Sequence, residues 1–219
     1  RESQAAAMRE QSAEGRDIGD LPEVVDAKRR EKGSKSLLDF CRIYFPARFP
    51  WAFSKDHEEA AAKIERCGAE GGNVAIAMPR GSGKTTLVEC DVIRDALYGF
   101  RRFIPLLQAN DKLSAKSLKK IKKELETNKA LAEDFPEVIY PILKLERIHN
   151  RANGQTYKGE PTRIEWTAEG ITLPTIAGSK ASGTQIMVSG IEGAVRGLSM
   201  VGPNGEIIRP DKVIIDDAQ

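Results

Sequence analysis

The segment at residues 77–86, with the sequence AMPRGSGKTT, constrains the fold of this chain more than any other segment. The apolar run at residues 74–77 precedes it and predicts a short buried parallel strand, while residues 85–97 carry apolar side chains at helical spacing. A glycine-rich turn between a strand and a helix is typical of loops that bind the phosphates of a nucleotide. The sequence therefore predicts an α/β domain with a mostly parallel sheet flanked by helices.

The loop carries the residue types that phosphate binding needs. Gly81 and Gly83 allow the backbone to curl so that its N–H groups point at phosphate oxygens, and the following helix adds the positive end of its dipole. Lys84 is expected to reach the β and γ phosphates, and the Thr85 hydroxyl is expected to bind Mg²⁺. The predicted nucleotide-binding residues are Gly81, Ser82, Gly83, Lys84, Thr85 and Thr86.

The loop departs from the usual G-x-x-x-x-G-K-S/T pattern because Met78 stands in place of the first glycine. The later residues form most of the phosphate cradle, so this change weakens the pattern match rather than the chemistry. The alternative interpretation is a glycine-rich turn between a strand and a helix in which Lys84 occurs by chance.

A second candidate element lies near the end of the chain, where residues 212–217 read KVIIDD. The apolar part predicts a buried strand, and we expect residues 213–215 to lie beside the loop strand in a parallel sheet. Asp216 would then hold magnesium directly or through water, and Asp217 would orient or deprotonate the attacking water. Many NTPases of this type have glutamate there, so Asp217 is one methylene short. The alternative is a strand followed by an acidic turn.

Composition limits the class of protein. The chain has 219 residues, of which 40% are hydrophobic and 30% charged, enough for one sizeable domain with an additional arm. No apolar run approaches the length that a bilayer requires, so no membrane partner is expected. Three widely spaced cysteines argue against a disulfide framework or a zinc site and favour a reducing cytoplasm.

The chain divides into an arm at residues 1–36, flexible or helical around residues 23–32, and a domain at residues 37–219. Proline and glycine positions suggest a mixed loop at residues 135–159 and a turn at residues 203–205. Helices are predicted from the Ser54 cap to about residue 66 and after Asn110-Asp111. The predicted strands, besides those at the two candidate elements, are residues 103–109, 162–166, 171–176 and 185–189.

Lysines are concentrated in the helix that follows Asn110. They surround an apolar stripe. The first interpretation is that the lysines form a solvated helix face, and the alternative is that they contact the backbone of DNA. The lysines of this region are Lys112, Lys116, Lys119, Lys120, Lys122, Lys123 and Lys129.

The order of these features over residues 37–219 resembles the ATPase domain of phage terminase large subunits, the motors that package viral DNA. Residues 40–57 resemble the family's entry region, which would place Phe53 and His57 against the adenine; plain core packing is the alternative. Residues 78–85 resemble the family's variant loop, in which an arginine such as Arg80 precedes the glycines. For Arg80 the alternative is a loop arginine paired with a nearby acid.

Two further segments carry the resemblance. Residues 195–198 resemble an Arg-Gly element, so Arg196 would be an arginine finger that stabilises charge on the γ phosphate of a neighbouring subunit. A surface arginine beside a flexible glycine is the alternative. Residues 216–219 resemble the family's acidic motif, with Asp216 and Asp217 in the roles described above.

The resemblance implies a RecA-like P-loop NTPase of the ASCE type, with ATP and Mg²⁺ as cofactors. The partners that it implies are double-stranded DNA, other copies of the chain in a ring, a portal and a small terminase subunit. The location that it implies is the cytoplasm of a host cell. It also implies that a strand following the acidic motif inserts beside the loop strand. We therefore expect the natural protein to continue beyond Gln219 into the rest of the ATPase and a nuclease domain.

Two other functions remain open from the sequence. The ending Asp-Asp-Ala-Gln is also reminiscent of a helicase-like DNA-dependent ATPase. Because Met78 and Asp217 replace the usual glycine and glutamate, the chain could instead be a nucleotide-binding scaffold without turnover.

Overall fold

A computed structural model describes residues 16–191, 198–202 and 205–216. These residues form a mixed α/β structure in which helices flank a five-stranded sheet. The helices are α1 (Ala27–Lys35), α2 (Leu37–Tyr44), α3 (Lys55–Glu70), α4 (Lys84–Tyr98), α5 (Asp111–Thr127), α6 (Lys129–Asp134) and α7 (Pro136–Leu143). The strands are β1 (Phe103–Gln108), β2 (Thr156–Tyr157), β3 (Glu160–Pro161), β4 (Glu165–Trp166), β5 (Gly170–Thr172), β6 (Gln185–Gly190), β7 (Met200–Val201), β8 (Ile207–Ile208) and β9 (Ile214–Ile215).

The large sheet has the strand order β4-β5-β6-β1-β9. Its central strands β6, β1 and β9 are parallel, whereas β4 and β5 form an antiparallel extension. Every residue of β1 is buried, as expected for a strand covered on both faces, and β1 pairs with β6 from Phe103 opposite Gln185 to Gln108 opposite Gly190. The α/β class and the parallel strands predicted from the sequence are confirmed at this level.

Helices α4 and α5 cover the parallel strands, and both were predicted from their periodicity. Helix α4 begins after Gly83 and ends at Gly99, whose φ of 65° favours glycine. A β carbon at Gly99 would lie 2.1 Å from the Lys180 carbonyl oxygen, so the close approach also requires glycine. Helix α5 begins where the Asn110 side chain accepts a hydrogen bond from the Leu113 amide.

The predicted strand at residues 74–77 does not form. Residues 71–79 have neither helical nor strand structure, and Val74 is 40% exposed. Residues 213–215 do not lie beside this segment: β9 pairs with β1, Leu106 opposite Ile214 and Leu107 opposite Ile215. A strand needs a hydrogen-bonding neighbour, and β1 already uses both edges for β6 and β9. The strand before Asp216, which was expected to be buried, is short, and its Ile215 is 59% exposed.

The interval at residues 135–159 is not the loop that its prolines suggested. Helix α7 begins with Pro136, where the missing proline N–H would have no helical partner in any case. Val138, Ile139 and Ile142 are buried, and this apolar face outweighs the cost of a second proline inside the helix. A short 3₁₀ turn follows at His149–Ala152.

The N-terminal helix α1 is anchored by charge rather than by apolar contacts. Asp26 caps it by accepting from the Arg29 amide at 2.8 Å, so the helix starts later than the predicted residue 23. The Arg29 guanidinium donates two 2.7 Å hydrogen bonds to buried Asp134, which also accepts from the Tyr44 hydroxyl at 2.6 Å. Within the described ranges, no helix has the length and apolar character needed to cross a membrane.

Candidate functional site

The glycine-rich loop has a turn conformation that leads directly into helix α4. Gly81 and Gly83 have φ values of 80° and 87°, in the left-handed region that disfavours other residues. The Ser82 amide donates to the Pro79 carbonyl at 3.3 Å, and the first helical bond of α4 runs from Leu87 to the Gly83 carbonyl at 2.9 Å. Because Gly83 has no side chain to cap the helix, the first amides of α4 remain available to an anion.

Ser82 contributes a second sign that the loop receives a ligand. Its hydroxyl oxygen is buried and has no hydrogen-bond partner among the described residues. Buried hydroxyls in proteins are almost always paired. A phosphate oxygen at this helix start would be a suitable partner for the Ser82 hydroxyl.

His57 connects the start of α3 to the loop. Its Nε2 lies 2.6 Å from the Ser82 carbonyl oxygen, and its Nδ1 lies 2.8 Å from the Ser54 hydroxyl. A carbonyl can only accept, so in the neutral ring Nε2 carries the proton and Nδ1 accepts from Ser54. The Phe53 ring lies 5.7 Å from the His57 ring, between centroids, with the Arg42 guanidinium 4.9 Å from the Phe53 centroid. His57 therefore orders the loop backbone, a contact that the sequence interpretation did not include.

Asp216 lies directly after β9, at the carboxyl edge of the sheet. Its amide donates to the Leu107 carbonyl at 2.9 Å, and its carboxylate accepts from the Gln108 side chain at 3.2 Å. Gln108 is 5% exposed, and its Oε1 has no partner among the described residues. Sequence reasoning missed Gln108, although its place at the end of a predicted parallel strand was the available signal.

A buried charge cluster joins α4 to the residues before β9. The Lys212 ammonium contacts the carboxylates of Asp91 and Asp95, the latter at 2.7 Å, and all three side chains are largely buried. The adjacent Asp211 carboxylate accepts from the backbone amides of Arg102 and Phe103 at 2.7 and 3.0 Å. The entry to β9 is thus attached to both α4 and the beginning of β1.

Burial controls the protonation of this cluster. Desolvation raises the pKa of Asp91 to about 6, although the attraction of Lys212 opposes it, and the negative charge of Asp95 adds to the increase. For Lys212 burial would lower the pKa, but the two carboxylates outweigh burial and raise it. The cluster holds one cation for two carboxyl groups, so Asp91 takes up a proton in mildly acidic solution.

This assignment predicts how stability depends on pH. The folded state binds a proton at Asp91 up to about pH 6, whereas in the unfolded chain the group titrates near its ordinary value of 3.8. The contribution of Asp91 to the free energy of unfolding therefore decreases as pH rises from about 4 to 6, by at most about 1.4 kcal/mol per pH unit. Asp91→Asn should remove this decrease, as measured by urea unfolding at pH 4 to 7. Parallel pH profiles for the two proteins would contradict the assignment.

A second ion-pair group lies on the same helix. Glu89 is fully buried and binds the Arg48 guanidinium and the Lys120 ammonium, the latter at 3.0 Å. Arg94 donates to the Gly33 and Ser34 carbonyls at 3.2 and 2.7 Å. Charged side chains thus connect the helix that follows the loop to several other elements.

The structure places the predicted site residues in two groups. The loop residues Gly81, Ser82, Gly83, Lys84, Thr85 and Thr86 are contiguous, with His57 in contact and Phe53 behind it. Asp216 belongs to the second group, with Gln108. No hydrogen bond or ion pair among the described residues joins Lys84 or Thr85 to Asp216. Arg80 is exposed and forms no ion pair with a described residue. Arg196 and Asp217 lie outside the described residues.

The donor set is compatible with magnesium. Thr85 offers a hydroxyl and Asp216 a carboxylate, the hard oxygen ligands that Mg²⁺ prefers when substrate phosphates supply further ligands. No cluster of three or more histidine, cysteine or acidic side chains suited to a metal occurs in the described part of the chain.

Comparison with known proteins gave no relative. No family model matches the chain, and neither the curated proteins nor the solved structures contain a match.

Proposed function

We propose that the protein is the ATPase motor subunit of a terminase-type DNA-packaging machine, a P-loop NTPase that couples ATP hydrolysis to movement of double-stranded DNA. The observation that carries the nucleotide-binding part of the proposal is the loop with two left-handed glycines, which ends at Lys84 on an uncapped helix start, and the packaging role rests on the resemblance of residues 37–219. The buried Ser82 hydroxyl in the same loop, which has no partner in the described part of the chain, adds support. Asp216 at the carboxyl end of a parallel strand supplies the acidic group that hydrolysis needs.

The chain's own residues would divide the work. The loop amides and the Lys84 ammonium bind and orient the phosphates, and the His57 ring holds the Ser82 carbonyl so that the loop keeps its shape. Thr85 and Asp216 would hold Mg²⁺, which when bound neutralises charge that develops on the β and γ phosphate oxygens. Asp217 would accept the proton of the attacking water, and Arg196 would stabilise the γ phosphate of a neighbouring subunit in a ring. Arg80 would add positive charge at the loop.

The lysines of α5 form two sets, one that binds other parts of the chain and one that is exposed and available to DNA. Lys120 and Lys122 are used internally: Lys120 binds Glu89, while Lys122 donates to the Thr167 carbonyl and lies over the Trp166 ring. Four others are exposed and form no ion pair with a described residue, and they supply positive charge that is free to meet phosphate. These four are Lys112, Lys116, Lys119 and Lys123.

Hydrolysis measured with different nucleic acids tests the proposal against its alternatives. A packaging motor should hydrolyse Mg-ATP faster with duplex DNA, and the stimulation should weaken as salt rises, because phosphate contacts release counterions. Stronger stimulation by single-stranded DNA would favour the helicase-like alternative. ATP bound tightly and released unchanged in a single-turnover experiment would favour the scaffold. Absence of ATP binding would contradict all three.

A further inference from the structure

β9 is a short strand with limited pairing of its own. It has two residues, pairs with β1 alone among the described strands, and leaves Ile215 mostly exposed while Ile214 packs against the core. The residues next to it add the Asp216 amide bond to Leu107, a 3.3 Å bond from the Asp211 amide to the Phe103 carbonyl, and two bonds from the Arg102 and Phe103 amides to the Asp211 carboxylate. Apolar packing alone therefore gives Asp216 little support.

The ion pairs of Lys212 give β9 an attachment that apolar packing does not provide. Lys212 lies two residues before β9 and binds Asp91 and Asp95, which are one turn apart on α4. A buried cation between two buried carboxylates tolerates little displacement, because moving it leaves unpaired charge in the interior. In some proteins, buried polar or ionic groups fix the register of packed elements without adding stability.

The directions in which α4 and β9 run from this cluster lead toward the candidate site. Helix α4 ends at Tyr98 and β1 begins at Phe103, so α4 runs back along the sheet, antiparallel to β1 and to its parallel neighbour β9. From Asp91 to Thr85 the helix rises about 9 Å toward the loop. From Lys212 to Asp216 the extended chain advances about 13 Å toward the carboxyl edge. Both segments leave the cluster in the same direction, which brings Thr85 and Asp216 to the same edge of the sheet.

We propose that Lys212 is a positioning residue that sets the distance between the phosphate loop and Asp216 by holding the entry of β9 against the middle of α4. This inference rests on the proposed function, because it concerns the two groups that would hold the same metal ion. Lys212 touches neither nucleotide nor metal; it acts through β9.

Metal binding in the presence of nucleotide is the measurement that tests this role. The probe is Mn²⁺, followed by electron paramagnetic resonance, with a non-hydrolysable ATP analogue and at a temperature below the unfolding of every variant. Lys212→Met should weaken Mn²⁺ binding about tenfold or more, as changes that disorient a metal ligand generally do. Binding of the analogue without metal should change little, because the loop is intact. Lys212→Arg, which can still span the two carboxylates, should recover much of the metal affinity.

Two controls separate positioning from loss of stability. Lys120→Met breaks another ion pair of α4, between the buried Glu89 and the partly exposed Lys120 of α5, without touching β9, and should leave Mn²⁺ affinity within about twofold of the original. The triple variant Lys212→Met, Asp91→Asn, Asp95→Asn removes all charge from the cluster and with it the penalty of unpaired buried carboxylates. It should regain stability but not metal affinity.

The outcomes are distinct. If the triple variant binds Mn²⁺ as tightly as the original protein, or if Lys120→Met weakens binding as much as Lys212→Met, the positioning role is wrong. If the original protein binds neither the analogue nor Mn²⁺ with it, the proposed nucleotide function itself fails.

Discussion

Replacing Lys84 by alanine should abolish ATP hydrolysis, with a loss in kcat of at least about 100-fold, comparable to removing one preorganised donor from an active site. Lys84 is the first residue of α4 and forms no ion pair with a described residue, so its ammonium is available to the phosphates. The folded structure should tolerate the change, because alanine is the best helix former and no partner is lost. Hydrolysis of Mg-ATP under saturating nucleotide, with and without duplex DNA, gives the measurement.

Lys28→Ala is the matched control for Lys84→Ala. Lys28 is an exposed lysine near the start of α1 and likewise forms no ion pair with a described residue. Its loss removes one positive charge without altering the loop, and kcat should stay within about twofold. Both variants should melt within a few degrees of the original protein. Retention of DNA-stimulated hydrolysis in Lys84→Ala would refute the assignment of the loop.

The elements that sequence predicted correctly are those that local interactions decide. The caps at Ser54 and Asn110, the glycine that ends α4 and the apolar stripe of α5 all act within a few residues of the helix they define. The strands β1 and β6 could also be predicted, because a continuous or alternating apolar run indicates burial without knowledge of the partner strand.

The errors share a different cause. Residues 74–77 have the composition of a strand, but whether they form one depends on a neighbour that no local pattern specifies. Whether β9 lies at the edge of the sheet likewise depends on neighbours that no local pattern specifies. In α7 the prolines suggested a loop, whereas tertiary burial of Val138 and Ile139 decided the outcome.

The loop residues and Asp216 were predictable from the sequence, but the pairs that position them were not. Loop residues follow one another in sequence, so their role can be derived from spacing alone. Gln108 and Asp216 are 108 positions apart, and Lys212 is 121 positions from Asp91. Such pairs arise from topology, and no spacing rule on a single sequence connects them.

Replacing Asp134 by alanine should lower the free energy of unfolding by about 3 kcal/mol or more, because it removes three hydrogen bonds to a buried carboxylate. The Asp134 side chain is fully buried and accepts two hydrogen bonds from Arg29 and one from the Tyr44 hydroxyl. Burial and the hydrogen bond to Asp134 raise the pKa of Tyr44, so its hydroxyl is a donor at neutral pH. Alanine removes the carboxylate acceptor of the buried Tyr44 hydroxyl and leaves the partly exposed Arg29 guanidinium with its bond to Glu133. Urea unfolding at pH 7 measures the loss.

The neighbouring residue provides the control, because Glu133 binds the same Arg29 guanidinium at the same 2.7 Å but is 44% exposed. Water screens an exposed pair, so Glu133→Ala should cost less than about 1 kcal/mol. The two carboxylates share their charge and the Arg29 partner but differ in burial, in the number of bonds from Arg29 and in the Tyr44 bond, so the contrast measures what the buried network adds. Equal losses for the two variants would show that Arg29 holds α1 through its charge alone, and that the Tyr44 hydrogen bond adds nothing to the attachment.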